Sequence, residues 1–90
     1  MKTCEISIPN SLGLHARAAA KFVHTAGKFT AHVQVSRGDR AVDGKSIMGL
    51  LLLAAAQGSA IRITTNGADE EAALSALCAL VERGFDEACA

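Results

Sequence analysis

Hydrophobic and polar side chains alternate in three short segments of the chain, residues 3–8, 31–36 and 61–64. A period of two residues is typical of a β-strand with one buried and one wet face, an arrangement common in antiparallel sheets. Gly38 and Asp39 form a turn signal after the second segment, and residues 40–43 would return as a short strand. The pattern therefore predicts four antiparallel strands.

Three other segments repeat apolar residues at spacings of three and four, the period of an α-helix. The first ends at Gly27, the second follows Ser46 and is expected to end at Gly58, and the third ends at Gly84. Their apolar positions are Ala19, Phe22, Val23 and Ala26; Ile47, Leu50, Leu51 and Ala54; and Leu74, Leu77, Cys78 and Val81. The predicted order is β-α-β-β-α-β-α, an α+β fold in which three helices cover one face of a four-stranded antiparallel sheet.

The composition of the chain excludes several classes of function. A chain of 90 residues predicts one domain, residues 1–90, and nine basic residues balance nine acidic ones. This balance, together with the lack of Trp and Tyr, argues against nucleic-acid binding. No apolar run could span a bilayer, and no signal peptide is evident. Cys4, Cys78 and Cys89 lack a paired disulfide pattern, and no zinc-ligand spacing occurs. We therefore expect a cytoplasmic protein without metal or cofactor. We also expect it to be a monomer.

The residues best suited to chemistry lie at the start of the first predicted helix. Backbone N–H groups there lack helical partners and attract anions, so Ala16 and Arg17 could hold a phosphate beside His15. The Arg17 guanidinium adds donors that suit phosphate oxygens, and Gly13 lets the backbone bend closely. A lone histidine at a helix start is more often a cap or surface residue. With Arg17 and Gly13 beside it, the interpretation of His15 as a nucleophile and its interpretation as a cap or surface residue have about equal weight.

Two sets of residues suggest a protein partner. Four basic residues share one side of the first helix: Arg17, Lys21, His24 and Lys28. Three apolar residues lie off the core stripe of the second helix and are expected to be exposed: Met48, Leu52 and Ala55. Basic and apolar surfaces side by side suit an acidic protein with a hydrophobic centre. The alternatives are a solvated helix face for the first set and a wider core contact for the second.

Two motifs resemble the signatures of the HPr family of histidine-containing phosphocarriers. Residues 13–19 (Gly-Leu-His-Ala-Arg-Ala-Ala) are similar to its phosphorylation site, and residues 44–50 (Gly-Lys-Ser-Ile-Met-Gly-Leu) are similar to its regulatory-serine region. The separation of the motifs also fits, as do residues 66–71 before the last helix. The resemblance covers essentially the whole chain.

This resemblance implies an HPr-like open-faced β-sandwich and a role in the bacterial phosphoenolpyruvate-dependent phosphotransferase system of sugar transport. His15 would accept a phosphoryl group on Nδ1 from phospho-Enzyme I, with help from Arg17, and pass it to EIIA-type acceptor domains. The chain would thus be a phosphoryl carrier rather than a free-standing enzyme. Ser46 would match the residue that HPr kinase/phosphorylase modifies. Partner contacts are expected at Lys21, His24, Ile47, Met48 and Leu52.

The chain departs from the family at Ala18, where proline is usual. Alanine restores a backbone donor in the first helical turn, so we expect altered kinetics rather than lost function. Residues 84–87 are similar to the nitrogen-branch relative NPr, whereas the Ser46 region is more like sugar-branch HPr. The sequence therefore does not assign the chain to one of the two branches. An alternative function is a regulatory binding module that docks a regulator through Ser46 and Met48. His15 distinguishes the two, because a pure binding module needs no phosphorylatable histidine.

Overall fold

A computed structural model describes residues 1–86 of the chain. Its seven elements are β1 (Lys2–Ser7), α1 (Ala16–Ala26), β2 (His32–Arg37), β3 (Arg40–Asp43), α2 (Ile47–Leu52), β4 (Ala60–Asn66) and α3 (Glu70–Glu82). The order β-α-β-β-α-β-α and the α+β class are confirmed. None of the helices within residues 1–86 is long and apolar enough to cross a membrane.

The four strands form one antiparallel sheet in the order β1-β4-β2-β3. The alternation predicted from sequence is visible in β4, where Ile61 and Ile63 are buried and Arg62 between them is exposed. On the open face, Arg62 forms an ion pair with Glu5 of β1 at 2.6 Å. The helices therefore cover one face of the sheet and leave the other to solvent, as the pattern predicts.

The core lies between that covered face and the three helices. Phe22 of α1, Leu50 of α2 and Leu77 of α3 are each at most 1% exposed and belong to one cluster with the buried residues of the sheet. Full burial of each such side chain contributes about 1.5–3 kcal/mol to the free energy of unfolding. This packing fixes the helix ends, and with them the loops that hold the polar residues of interest.

The second helix is shorter than predicted. α2 ends at Leu52, because the chain then leaves helical geometry and Ala54 adopts a left-handed φ of 51°. Ala54 is exposed, whereas Ala55 is only 3% exposed, so the prediction of a core Ala54 and an exposed Ala55 is wrong. Ile47, predicted to be in the core, is 41% exposed. Helical spacing does not apply to Ala54 and Ala55, because both lie beyond the end of α2.

Asp69 joins the start of α3 to the start of β2. Its two carboxylate oxygens accept hydrogen bonds from the backbone N–H of Thr30 at 2.9 Å and of Ala31 at 2.8 Å. These bonds, that from Thr30 first, hold the pKa of Asp69 below its ordinary value because they favour the ionised form. The contribution of Asp69 to stability is therefore complete at neutral pH and is lost as pH falls through that lowered pKa.

Candidate functional site

His15 lies directly before α1 and acts as its N-cap. Its backbone is extended, with φ of −87° and ψ of −178°, and its Nδ1 accepts a hydrogen bond from the Arg17 N–H at 3.3 Å. A ring nitrogen that accepts carries no proton, so the neutral ring in this arrangement has its proton on Nε2. The Nδ1 lone pair therefore faces the N-terminus of α1.

The first turn of α1 suits an incoming anion. Ala16 and Arg17 are the first two helical residues, both are exposed, and residues 16–19 include no acidic side chain. The backbone N–H groups of such a turn carry partial positive charge and lack helical acceptors. Ala18 differs from Ala16 and Arg17, since it is fully buried and, like Ala19, packs in the core.

The loop before His15 is held against the segment that follows α2. The Leu14 N–H donates to the Ala55 carbonyl at 2.8 Å, and the Asn10 side-chain amide donates to the Gly13 carbonyl, also at 2.8 Å. Gly13 has φ of +68°, and a Cβ there would lie 2.5 Å from the Ala55 oxygen. The close backbone bend predicted at Gly13 is thus confirmed, and its partner is the segment after α2.

The basic side of α1 is partly occupied by internal contacts. Arg17, His24 and Lys28 are exposed, but Lys21 is half-buried and its Nζ donates to the Phe85 carbonyl at 2.8 Å. Lys21 therefore ties α1 to the chain that follows α3. Lys28 lies beyond the end of α1 at Ala26, so the prediction that placed it on the first helix is wrong. The exposed basic residues of the helix itself are Arg17 and His24.

An exposed apolar surface, which we call the α2 patch, consists of Ile47, Met48 and Leu52. Met48 is 68% exposed and Leu52 is 61% exposed, as predicted. Leu12, in the loop before His15, is 67% exposed and was missed, because its single apolar side chain lies in no periodic segment. Since α2 packs against α1, the α2 patch lies on the helix next to the one that carries Arg17 and His24.

Ser46 is the N-cap of α2, as its position before the apolar stripe predicts. Its backbone is extended and its Oγ accepts a hydrogen bond from the Gly49 N–H at 3.1 Å. The side chain is half-buried, and the exposed Ile47 and Met48 follow it directly. Any group attached to the Ser46 oxygen would therefore stand at the edge of the α2 patch.

Of the two cysteines within residues 1–86, Cys78 is poorly suited to act as a nucleophile. Cys4 and Cys78 are half-buried free thiols, rather than fully buried residues. Burial, followed by a hydrogen bond with the Cys4 side chain, raises the pKa of the Cys78 thiol to about 12. Cys78 is therefore protonated at neutral pH and is a poor nucleophile. Cys89 lies outside the described residues.

Known proteins are similar to this chain along most of its length. Residues 2–83 match the family described as the PTS HPr component phosphorylation site. The chain is 50% identical over 88 residues to phosphocarrier protein HPr of Pseudomonas aeruginosa, which covers 97% of this chain and 98% of that protein. It is also 43% identical to phosphocarrier protein NPr of Shewanella violacea, over 93% of this chain and 92% of that protein.

Solved structures agree with these matches. The structure of an HPr dimer from Thermoanaerobacter tengcongensis matches with a TM-score of 0.77 at 45% identity, covering 97% of this chain and all of that one. Because that protein is a dimer, the monomeric state expected for the present protein stays a prediction. HPr-C-His from the same organism has a TM-score of 0.94 at 44% identity, covering 98% of this chain and 99% of that one. The chain therefore belongs to the HPr family of phosphocarrier proteins of the phosphotransferase system.

Proposed function

We propose that His15 accepts a phosphoryl group from phospho-Enzyme I and gives it to an EIIA-type acceptor domain. The observation that carries this proposal is the placement of His15 Nδ1 against the Arg17 N–H at the start of α1. In the transfer, the Nδ1 lone pair forms a bond to phosphorus while the bond between phosphorus and the donor breaks. The proton on Nε2 stays in place, so the ring needs no separate base to become a nucleophile.

The N-terminus of α1 would stabilise the phosphoryl group during and after transfer. Phosphoryl oxygens on Nδ1 can take up the N–H groups of Ala16 and Arg17, and the helix dipole favours their negative charge. The exposed Arg17 guanidinium can form paired hydrogen bonds to two of these oxygens. Phosphoryl transfer requires little covalent chemistry from the surrounding side chains, so positioning and charge stabilisation are their main contributions to the rate.

The direct test is incubation of the chain with phosphoenolpyruvate and Enzyme I, followed by intact-mass measurement. We expect one phosphoryl group per chain, stable in alkali and lost in acid, which identifies a phosphohistidine. Transfer onward is then tested by adding an EIIA-type domain and measuring the loss of label from the chain. An unlabelled chain after prolonged incubation with active Enzyme I would contradict the carrier function.

Arg17→Ala should slow phosphoryl transfer more than it weakens docking. The lost guanidinium would otherwise meet charge on the moving phosphoryl group, and removal of one such donor typically costs about 10²-fold in rate. Rapid-quench kinetics with both Enzyme I and an acceptor domain measure the effect. Lys28→Ala is the control, since it removes an exposed positive charge that lies beyond the far end of α1 from His15. Equal rates for the two variants would exclude the proposed role of Arg17.

Partner proteins would dock on the surface around His15. The α2 patch offers an apolar centre, the exposed Arg17 and His24 supply donors beside it, and the half-buried Lys21 can contribute with the part of its ammonium group that does not face the Phe85 carbonyl. An acidic partner with a hydrophobic centre complements this surface. Enzyme I and EIIA-type domains are the partners we propose, with the cytoplasm as the compartment in which they meet. Relatives named HPr and NPr both match the chain, so the proposal applies to either branch.

A second candidate function is regulation through Ser46, favoured by its position beside the α2 patch. A phosphate on this oxygen would add about two negative charges at neutral pH, close to Met48. Its oxygens could still accept the Gly49 N–H that Oγ accepts now, so the fold need not change. We propose that HPr kinase/phosphorylase modification, where that enzyme is present, weakens docking of acidic partners by repulsion and leaves His15 in place.

Ser46→Asp should raise the apparent Michaelis constant of Enzyme I for this protein, and the defect should shrink as salt screens the repulsion. Ser46→Asn is the matched control, because Asn is as good an N-cap as Asp and carries no charge. Initial rates across a salt series, with melting temperatures of both variants, measure the effect. If the two variants behave alike at low salt, the electrostatic switch is wrong and Ser46 is only a helix cap.

A further inference from the structure

Two arginines of the β2–β3 turn reach the end of α2. Arg37 donates from Nη1 to the Leu53 carbonyl at 3.1 Å, and Arg40 donates from Nη1 to the Leu52 carbonyl at 2.5 Å. Both arginines are exposed. Their guanidinium groups are thus held at the C-terminal end of α2, where the helix carries partial negative charge.

These arginines give the α2 patch a second basic border. The helix that carries the exposed Met48 and Leu52 packs against α1, which carries Arg17, and against β3, the strand that begins with Arg40. The carboxylate of Asp39 is also in the turn, and with one negative and two positive side chains the turn has a net charge of +1.

The carbonyl contacts leave hydrogen-bonding capacity unused. A guanidinium has five N–H donors in a fixed fork, and each described contact engages only Nη1. Because the bond to α2 restricts the side chain, less conformational entropy is lost when a carboxylate binds the remaining donors. Arg37 and Arg40 can therefore cap α2 and still donate hydrogen bonds to a carboxylate of a partner protein.

We infer that the protein that phosphorylates His15 extends past α2 onto the β2–β3 turn, and that it presents carboxylates to Arg37 and Arg40. This inference rests on the proposed function, since it concerns the partner that docks at His15. The argument is charge complementarity. An acidic surface that meets Arg17 on one side of the α2 patch also meets positive charge on the other side. Contacts at such a rim act mainly on the rate of association and depend on salt.

The test compares Arg40→Gln and Arg40→Lys in phosphorylation by Enzyme I at low and high salt. Gln keeps an amide donor for the Leu52 carbonyl and removes the charge, whereas Lys keeps the charge. We expect the Michaelis constant to rise about three- to fivefold for Arg40→Gln at low salt, with unchanged maximal rate, the size of a strong exposed charge contact. Arg40→Lys should largely restore it, and high salt should remove the difference.

Arg62→Gln is the matched control, because Arg62 lies on the open face of the sheet, away from the helices. It removes the same charge and should leave the Michaelis constant unchanged. Equal constants for wild type and Arg40→Gln at low salt would overturn the inference while the carrier function stands. So would an equal rise in Arg62→Gln, which reflects net charge alone, or a rise that Arg40→Lys does not restore, which reflects capping of α2. Failure of wild type itself to be phosphorylated would instead refute the proposed function.

Discussion

His15→Ala is expected to accept no phosphoryl group from phospho-Enzyme I, the largest effect that a single substitution should have on this protein. The imidazole supplies the only nucleophilic nitrogen that we place at the N-terminus of α1, and no neighbouring group in our proposal can replace it. The same ring also caps α1 through Nδ1. Loss of an N-cap costs about 1 kcal/mol, so the variant should also melt about 4–8 °C lower.

His15→Asn separates these two effects. The Asn side-chain oxygen can accept the Arg17 N–H as Nδ1 does, and Asn is among the best N-cap residues. We therefore expect His15→Asn to melt close to wild type and still to remain unphosphorylated. Intact mass after incubation with phosphoenolpyruvate and Enzyme I, together with thermal unfolding, provides both readouts. A phosphoryl group on His15→Asn would move the acceptor to another residue and end the proposal for His15.

Local periodicity was sufficient for most of the fold because buried and exposed side chains follow the geometry of each element. Alternation in residues 61–64 predicted β4, and the stripe that includes Phe22 predicted α1 and its end at Gly27. Periodicity did not predict the end of α2 at Leu52, after which Ala54 adopts a left-handed backbone conformation. Alanine is a strong helix former, so nothing in the local sequence of residues 54–56 indicates that α2 has ended.

The candidate site shows the same division between local and long-range information. His15 and Arg17 could be proposed from sequence because their chemistry depends on a helix start next to them. The bond from Leu14 to the Ala55 carbonyl could not, because a backbone contact between distant segments leaves no side-chain signal. The contacts of Arg37 and Arg40 with α2 were also missed, since an arginine in a turn ordinarily faces solvent.

Gly13→Ala should be the second most damaging substitution, through displacement of His15. A left-handed φ costs an alanine about 1–2 kcal/mol, and the new Cβ would lie 2.5 Å from the Ala55 oxygen and 2.9 Å from the Ala56 Cα. Both contacts are with backbone, so neither can be relieved by a change of rotamer. The loop must move away from the segment after α2, and the Leu14–Ala55 bond stretches with it.

Such a displacement should reduce transfer about 10²-fold, the typical effect of moving a reacting group by about 1 Å. Gly58→Ala is the control, because Gly58 also has a left-handed φ, +86°, but a Cβ there has no atom within 4 Å. It should lose about 1–2 kcal/mol of stability from backbone strain alone and transfer phosphate at the wild-type rate. Thermal unfolding and rapid-quench transfer kinetics of both variants give the comparison. If Gly13→Ala transfers as fast as Gly58→Ala, the contact with Ala55 does not position His15, and the loop reaches its active geometry without it.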